Sequence, residues 1–371
     1  MLYASRTGVA RGWSAMVSIL AVSLGGPADG FVTFGNGFAS KWGPDPNHGS
    51  GAVVTWGFVP DGTTVDPAFR IDPFGSPDDV GTVGTSNVSQ LRSLVDGNHG
   101  SGAFDAAIRS AFDTWSAAAD IQFVQVADPG TPMAQAGSTT PDIRIGAFEP
   151  LPGHFFEGTG AVGFGPPGIV TPANDFPESG DIFFNLNGSI FGGVQTPFHL
   201  APGDEDVTPV DFFNFGDDLE GLFLHEVGHA IGLAHPPWEG DVPDRRVMYV
   251  GDFNDPEAPP CCTAINRLLD PDDIAGAVSI YGPPAIIGDF NGSGSVEQGD
   301  LNLVLNNWGL DTDAQGVPAG WIKRLPFGTI DQAELNAVLN NWGASAAPSV
   351  DVPEPAATVL FALGLTLRRR W

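Results

Sequence analysis

The chain has 371 residues, 42% of them hydrophobic, with 50 Gly, 33 Pro and two cysteines. That length holds one large domain with a real core plus small modules, and the Gly and Pro content excludes a simple helical bundle. A formal charge of −29, with lysine only at Lys41 and Lys323, excludes a nucleic-acid partner, because no basic face exists to displace counterions from phosphates.

Along the chain, Arg6 and Arg11 precede an apolar stretch, Ser14–Leu24, and no acidic residue comes before Asp29. With the GGPA that follows, residues 1–28 have the layout of a secretory signal peptide cut near Ala28, too short to span a bilayer. Residues 29–283 form one continuous globular stretch. In it, Ala52–Thr64 alternates as a strand into a Pro-Asp-Gly turn. FDAAIRSAFDTWSAAA places Phe104, Ile108, Phe112 and Trp115 on one helical face. IQFVQVA, DIRIGAF and GDIFFNL read as short strands. LDPDDIAGAVSIYG opens on a Pro-and-acidic cap, aligns Ile274, Ala277, Val278 and Tyr281 on one stripe, and closes at Gly282. Strands first, with helices at intervals, predict a mixed α+β domain.

Three of the seven histidines fall within residues 225–235, HEVGHAIGLAH. The preceding FGDDLEGLFL predicts a helix with a capping box between Asp217 and Glu220. Leu219, Leu222, Phe223, Val227, Ala230 and Ile231 bury much of its surface. His225 and His229, four residues apart, project from one face, which suits two imidazole nitrogens on one Zn²⁺ at roughly 2.0–2.1 Å. Gly232 tolerates the positive φ that ends a helix and reverses the chain, returning His235 as a third ligand. Three neutral imidazoles leave a fourth position for water, the arrangement of a catalytic zinc site. Glu226 is then placed to take that water's proton and pass it to a leaving amine.

His225, Glu226, His229, Gly232 and His235 together spell H-E-x-x-H-x-x-G-x-x-H, the metzincin signature. The flanks resemble the matrixin group of metalloproteases. Met248-Tyr249 is similar to that family's Met-turn, and AFDTWSAAADIQF, DIRIGAF and DDIAGAVSIYG resemble its first long helix and strand entry, next strand and final helix. Over most of 50–283 the resemblance implies a metzincin-like zincin fold, with a twisted mixed sheet, an active-site helix beneath it and a smaller lower subdomain. It also implies a secreted zinc endopeptidase acting on protein or peptide substrates.

The sequence departs from the matrixin pattern in several places. Val250 stands where the Met-turn usually has Pro, and the thirteen-residue step from His235 to Met248 is long. Beside His154, Phe156 and Phe183 replace an Asp and a His of the family's structural zinc site, so that second zinc is expected to be absent. No cysteine precedes the catalytic helix, so cysteine-based latency cannot operate. His48, His99, His154 and His199 lie in Gly/Pro-rich loops and read as surface residues, while Asp181 and Asn185 offer oxygens to a calcium ion. Cys261 and Cys262 are adjacent, which leaves a loop feature, a strained vicinal ring or an intermolecular thiol.

Residues 285–345 hold a repeat: LNLVLNNWG (Leu301–Gly309) recurs as LNAVLNNWG (Leu335–Gly343). Ahead of the first copy, Asp289, Asn291, Ser293, Glu297 and Asp300 put side-chain oxygens at loop positions one, three, five, nine and twelve, with Gly294 at six. That is a calcium-loop arrangement ending in Asp instead of the usual Glu. Lys323, Leu325 and Phe327 occupy the corresponding early positions of the second copy, so one Ca²⁺ is expected. The pair resembles a type I dockerin module, a small helical calcium-loop unit that implies a cohesin-like partner. A stand-alone calcium-stabilised spacer fits the same residues.

Residues 346–371 are linker and tail: Val352-Pro353-Glu354-Pro355, an apolar run Ala356–Leu367, then Arg368–Arg370. The run falls short of the roughly 20 residues of a stable span, yet Arg at the cytoplasmic edge holds such a segment transiently in the membrane during export. The layout resembles the PEP-CTERM sorting tail of bacterial envelope and matrix proteins, implying a secreted or envelope-associated product. Two rivals to the endopeptidase remain: a metzincin domain that binds envelope or matrix partners without cleaving them, and a peptidase limited to its own maturation. An intact Glu226 separates the first rival, because a binding-only domain has no chemical need for it.

Overall fold

The structure, a computed structural model, describes residues 31–33, 41–66, 84–135, 141–149, 160–167, 179–191, 194–196, 198–200, 217–236, 246–249, 267–324, 326 and 328–345. The expected signal peptide and sorting tail, and His154, Phe156, Val250, Cys261 and Cys262, lie outside them. Two compact units divide the chain, Met1–Pro284 and Ala285–Trp371. Among the described residues no helix is long and apolar enough to cross a membrane.

The first unit opens with β1 (Val32–Thr33) and β2 (Ala52–Phe58), followed by α1 (Val88–His99), α2 (Ala103–Ala118) and β3 (Ile121–Gln125). Next come β4 (Ile143–Phe148), β5 (Ala161–Gly163) and β6 (Ile182–Asn185). Five of these strands form one sheet in the order β3-β2-β4-β6-β5. The first three pairings are parallel, with Val54 opposite Phe123, Trp56 opposite Ile143 and Ile145 opposite Ile182. β5 alone runs antiparallel, at an edge, with Val162 opposite Phe183. Parallel neighbours require a crossover, and α1 and α2 supply it between β2 and β3. Central β4 is buried along its whole length, as a strand covered on both faces must be.

The sequence reading did not anticipate α1. Asn87 caps it by accepting the Gln90 N–H at 3.0 Å, and Val88, Leu91 and Val95 bury one face. Near its end, the Asp96 carboxylate accepts the N–H groups of Gly102 and Phe104, both at 3.0 Å, and so caps α2 in turn. Phe112 of α2 meets Trp56 of β2 and Phe123 of β3, each at a centroid distance of 4.6 Å, which seats this helix on the sheet.

Two short pairs follow: β7 (Ser189–Phe191) with β8 (Val194–Thr196), and β9 (Phe198–His199) with β10 (Asp217–Asp218). The helix α3 (Leu219–Ala230) comes next, then β11 (Leu233–Ala234), which pairs antiparallel with β1, and α4 (Pro271–Tyr281). The expected cap of α3 is off by one residue. Asp217 and Asp218 pair with Phe198 and His199, and it is Asp218 that caps the helix, accepting the Gly221 N–H at 2.9 Å. α3 packs against α2 through Phe223 and Phe112, 5.2 Å apart and edge to face.

The stripe expected on α4 is also rotated. Ile274 is 36% exposed, while Asp273, Gly276, Ala277, Ile280 and Tyr281 face inward. A polar residue takes the inward position because its carboxylate has backbone donors to meet there.

The second unit contains α5 (Gln298–Asn306), α6 (Thr312–Gln315) and α7 (Gln332–Asn340). Its two halves exchange the same bonds. Gly309 N–H donates to Ile330 O and Gly343 N–H to Val296 O; Ile330 N–H donates to Leu310 O and Val296 N–H to Ala344 O. Each contact recurs 34 residues along, so the repeat is a pseudo-symmetric pair around Phe290, Val296, Val304, Trp321, Ile330 and Val338.

Candidate metal centre

α3 carries His225 and His229, and the chain leaves the helix at Gly232, whose φ of +112° is open to glycine and strained for other residues. His235 returns so that its Nε2 lies 2.8 Å from His229 Nε2 and 3.2 Å from His225 Nε2. Among the described residues this is the one group of three or more His, Cys, Asp or Glu side chains whose ligand atoms gather within 4.8 Å.

The other ring nitrogens decide what the cluster fits. His225 Nδ1 is 2.7 Å from Val247 O and His229 Nδ1 is 2.8 Å from Leu233 O. A carbonyl only accepts, so both Nδ1 atoms carry hydrogen and both Nε2 atoms present bare lone pairs. His235 can donate a proton to one of them, not to both. Converging lone pairs repel one another unless a cation sits among them. Tetrahedral zinc with Zn–N of about 2.0–2.1 Å would separate its nitrogens by about 3.3 Å, close to the spacing here.

His225 and His229 are buried and His235 is half-buried, and loss of hydration keeps the three rings neutral. It lowers His225 to about 4, and with repulsion from His225 it lowers His235 to about 3. His229 is driven well down by burial and then by its two histidine neighbours. A neutral, nitrogen-only donor set of borderline softness suits Zn²⁺ and disfavours Ca²⁺ or Mg²⁺.

Glu226 is buried beside the first of these histidines, and burial pushes its pKa up to about 8, opposed by a hydrogen bond from the Gly163 N–H. Gly163 ends the edge strand β5, and a Cβ there would lie 2.9 Å from Glu226 Oε2 and 2.6 Å from its carbonyl oxygen. The strand therefore passes the carboxylate at a distance only glycine allows.

Below the histidines, Arg246–Tyr249 turn, with Tyr249 N–H donating to Arg246 O at 3.1 Å. Met248 is buried in that turn against Gly228 and Trp115. The Asp273 carboxylate holds the turn by accepting the N–H groups of Val247 at 2.7 Å and Met248 at 3.2 Å. Sequence reasoning missed Gly163, Gly228 and Asp273. In the sequence Asp273 was only part of the acidic cap that opens α4, and the structure shows it in a capping box with Asp270.

Other residues singled out in the sequence fall elsewhere. Phe183 packs between Phe148 and Phe164, at 5.5 and 5.8 Å. Asp181 accepts the Ala134 N–H at 2.8 Å and Asn185 the Asn187 N–H at 2.9 Å, so these oxygens support backbone. His48 is exposed, and His99 Nε2 accepts the Leu200 N–H at 3.0 Å.

In the second unit, Asp289 accepts from the Ser293 and Gly294 N–H groups, and Asp300 from those of Asn291 and Glu297. Asn291 Oδ1 also accepts the Ser293 N–H, and Gly294 turns at φ +84°. Asp289, Glu297 and Asp300 are not gathered within 4.8 Å as the histidines are.

Three histidines on a helix and the turn after it, a carboxylate next to the first, a methionine turn beneath and a mixed sheet above define a zincin of metzincin type. The chain belongs to the matrixin family, which it matches over residues 95–282. It is 28% identical over 186 residues to matrix metalloproteinase-19 of Homo sapiens, covering 48% of this chain and 26% of that protein. It is likewise 28% identical over 180 residues to Metalloendoproteinase 1-MMP of Arabidopsis thaliana, covering 47% of this chain and 37% of that one. The chain thus spans about a quarter to a little over a third of the length of these curated relatives.

Proposed function

We propose that the protein is an exported zinc-dependent endopeptidase in which His225, His229 and His235 hold one Zn²⁺ and Glu226 is the catalytic acid and base. The observation that carries this is the convergence of three Nε2 atoms, two of them, on His225 and His229, in rings fixed by backbone carbonyls at Nδ1. Membership of the matrixin family supports it independently. When bound, zinc supplies Lewis acidity, acidifying water and polarising a peptide carbonyl.

The chain's own residues do the rest. β5 is an edge strand beside Glu226, so an extended peptide can add to it by backbone hydrogen bonds and bring a scissile bond to the carboxylate. Glu226, ionised next to a divalent cation, accepts a proton from the attacking water. The same oxygen then returns that proton to the leaving amine. Burial of Glu226 keeps bulk water away from this exchange, and the Gly163 N–H orients the carboxylate.

The outer segments extend the proposal. Residues 1–28 act as an export signal, 29–283 as the peptidase domain, 285–345 as a dockerin-like module, and 346–371 as linker and PEP-CTERM-like tail with transient membrane contact. Asp289, Asn291, Ser293, Glu297 and Asp300 supply oxygens for one Ca²⁺, a role supported by the buried Asp289 and Asp300 around the turn at Gly294. The same module offers a cohesin-like or envelope partner two repeated apolar positions: Leu305 and Trp308 on one copy, and Leu339 and Trp342 on the other, are all exposed.

Metal analysis and casein digestion of the purified chain test the central reading. Wild type should carry one zinc and cleave; Glu226→Ala should keep the zinc and lose cleavage; His229→Ala should lose both. Wild type that carries zinc but cleaves no member of a broad peptide library would favour a binding-only domain, and cleavage confined to its own chain would favour self-maturation.

A further inference from the structure

α3 must stop abruptly, because His229 and His235 reach one point only if the chain peels away between them. Stopping leaves the last carbonyls of the helix without their i+4 donors; His229 O takes the Gly232 N–H at 2.9 Å, and Ala230 O and Ile231 O need others. In a continuing helix, Ala230 O would accept the N–H of residue 234, and Ile231 O that of residue 235. Here residue 234 is committed to β11, opposite Val32, and residue 235 is the third histidine. Both carbonyls are buried, and an unmet buried carbonyl is costly.

Two aromatic side chains from distant parts of the chain meet them. Trp42 Nε1 donates to Ala230 O at 2.7 Å, and the Tyr281 hydroxyl donates to Ile231 O at 2.9 Å. The two are themselves linked, since the Trp42 N–H donates to the Tyr281 oxygen at 3.3 Å. Neither has slack: the Trp42 ring is wedged against Gly180, where a Cβ would sit 2.7 Å from it, and Tyr281 is fully buried at the end of α4 with Lys41 Nζ 5.4 Å from its ring centre.

We infer that Trp42 and Tyr281 are positioning residues for the zinc site, replacing the helical N–H donors of residues 234 and 235 so that His235 is free to leave the helix. This rests on the reading of the three histidines as zinc ligands. Without these donors the last turn of α3 regains its own hydrogen bonds by continuing, which draws residues 234 and 235 back toward the helix and carries His235 away from His229.

The test is zinc affinity of the full chain by competition with a chromophoric chelator, together with the visible spectrum of the Co²⁺-loaded protein. Tyr281→Phe, which deletes one oxygen, and Trp42→Phe, which deletes the indole donor, should each weaken Zn²⁺ roughly tenfold, or about 1.4 kcal/mol. Each should also alter the Co²⁺ absorption bands. Val95→Ala, in α1, whose main contacts are with α2, β9 and β4, serves as a control that lowers stability away from the helix end. Wild-type affinity and spectrum in both aromatic variants, or losses no larger than in the control, would overturn the inference. Wild type that binds no zinc would instead sink the zinc-site reading on which it rests.

Discussion

Met248 and Gly228 occupy each other's space: a Cβ on Gly228 would overlap the methionine sulfur and press on the Trp115 ring at 3.0 Å. Gly228 lies between the two helical histidines, so the missing side chain lets the turn below the site approach the helix that carries the ligands. Gly228→Ala should lower stability by about 1–3 kcal/mol, the usual cost of overpacking a filled core. Urea unfolding of the metal-free chain measures it. Unlike most Gly→Ala changes inside helices, this one should not stabilise.

Asp273 holds that turn from the other side, and Val247 O in turn holds His225 Nδ1. Asp273→Ala strands the buried N–H groups of Val247 and Met248, which costs about 1–3 kcal/mol each at most. The measurable outcomes are a lower urea midpoint and weaker zinc binding. Asp273→Asn, which keeps one acceptor oxygen, should fall between the variant and wild type.

Glu226 gives a pH signature in the metal-free protein. Its pKa is raised from 4.5 to about 8, chiefly by burial, so the folded state binds this proton more tightly than the unfolded state does. Wild type therefore loses stability through this group as pH rises from about 4.5 to about 8. Glu226→Gln cannot ionise and escapes that loss. Thermal midpoints of the two chains should diverge in favour of the variant across that window and run parallel above it. The histidine contributions, which act in the opposite sense below about 6.5, are common to both chains and cancel in the difference.

Calcium should stabilise the second unit and leave the first unmoved. Adding Ca²⁺ to zinc-loaded chain should raise one of two thermal transitions, because a ligand that binds only the folded form stabilises it. Asp289→Ala should abolish that rise. Asp331→Ala, in the half with Lys323 early in its loop, should preserve it.

Much of the site was legible because its chemistry is local. HEVGHAIGLAH predicts two ligands by helix periodicity and a third by the glycine that ends the helix, and the structure brings the three nitrogens together. Helix α2 and strands β2, β3, β4 and β6 also followed from apolar patterning, and α4 from its Pro-and-acidic cap and closing glycine. What escaped was set by distance. Gly163, Trp42 and Tyr281 act on α3 from elements far along the chain, and no spacing in the sequence joins them. The cap of α3 falls on Asp218, one residue past Asp217, because two adjacent aspartates offer the same capping chemistry and the sequence does not choose between them. α4 turns Asp273 inward because its carboxylate accepts the N–H groups of Val247 and Met248, a tertiary contact overriding the apolar stripe.

X-ray absorption at the zinc edge, on the purified chain after dialysis against zinc-free buffer, bears most directly on the central claim. One tightly held zinc per chain, with three imidazole nitrogens at about 2.0–2.1 Å, is the expected result. A folded protein that retains no zinc, or one whose metal sees oxygen ligands and no imidazole, would contradict the account.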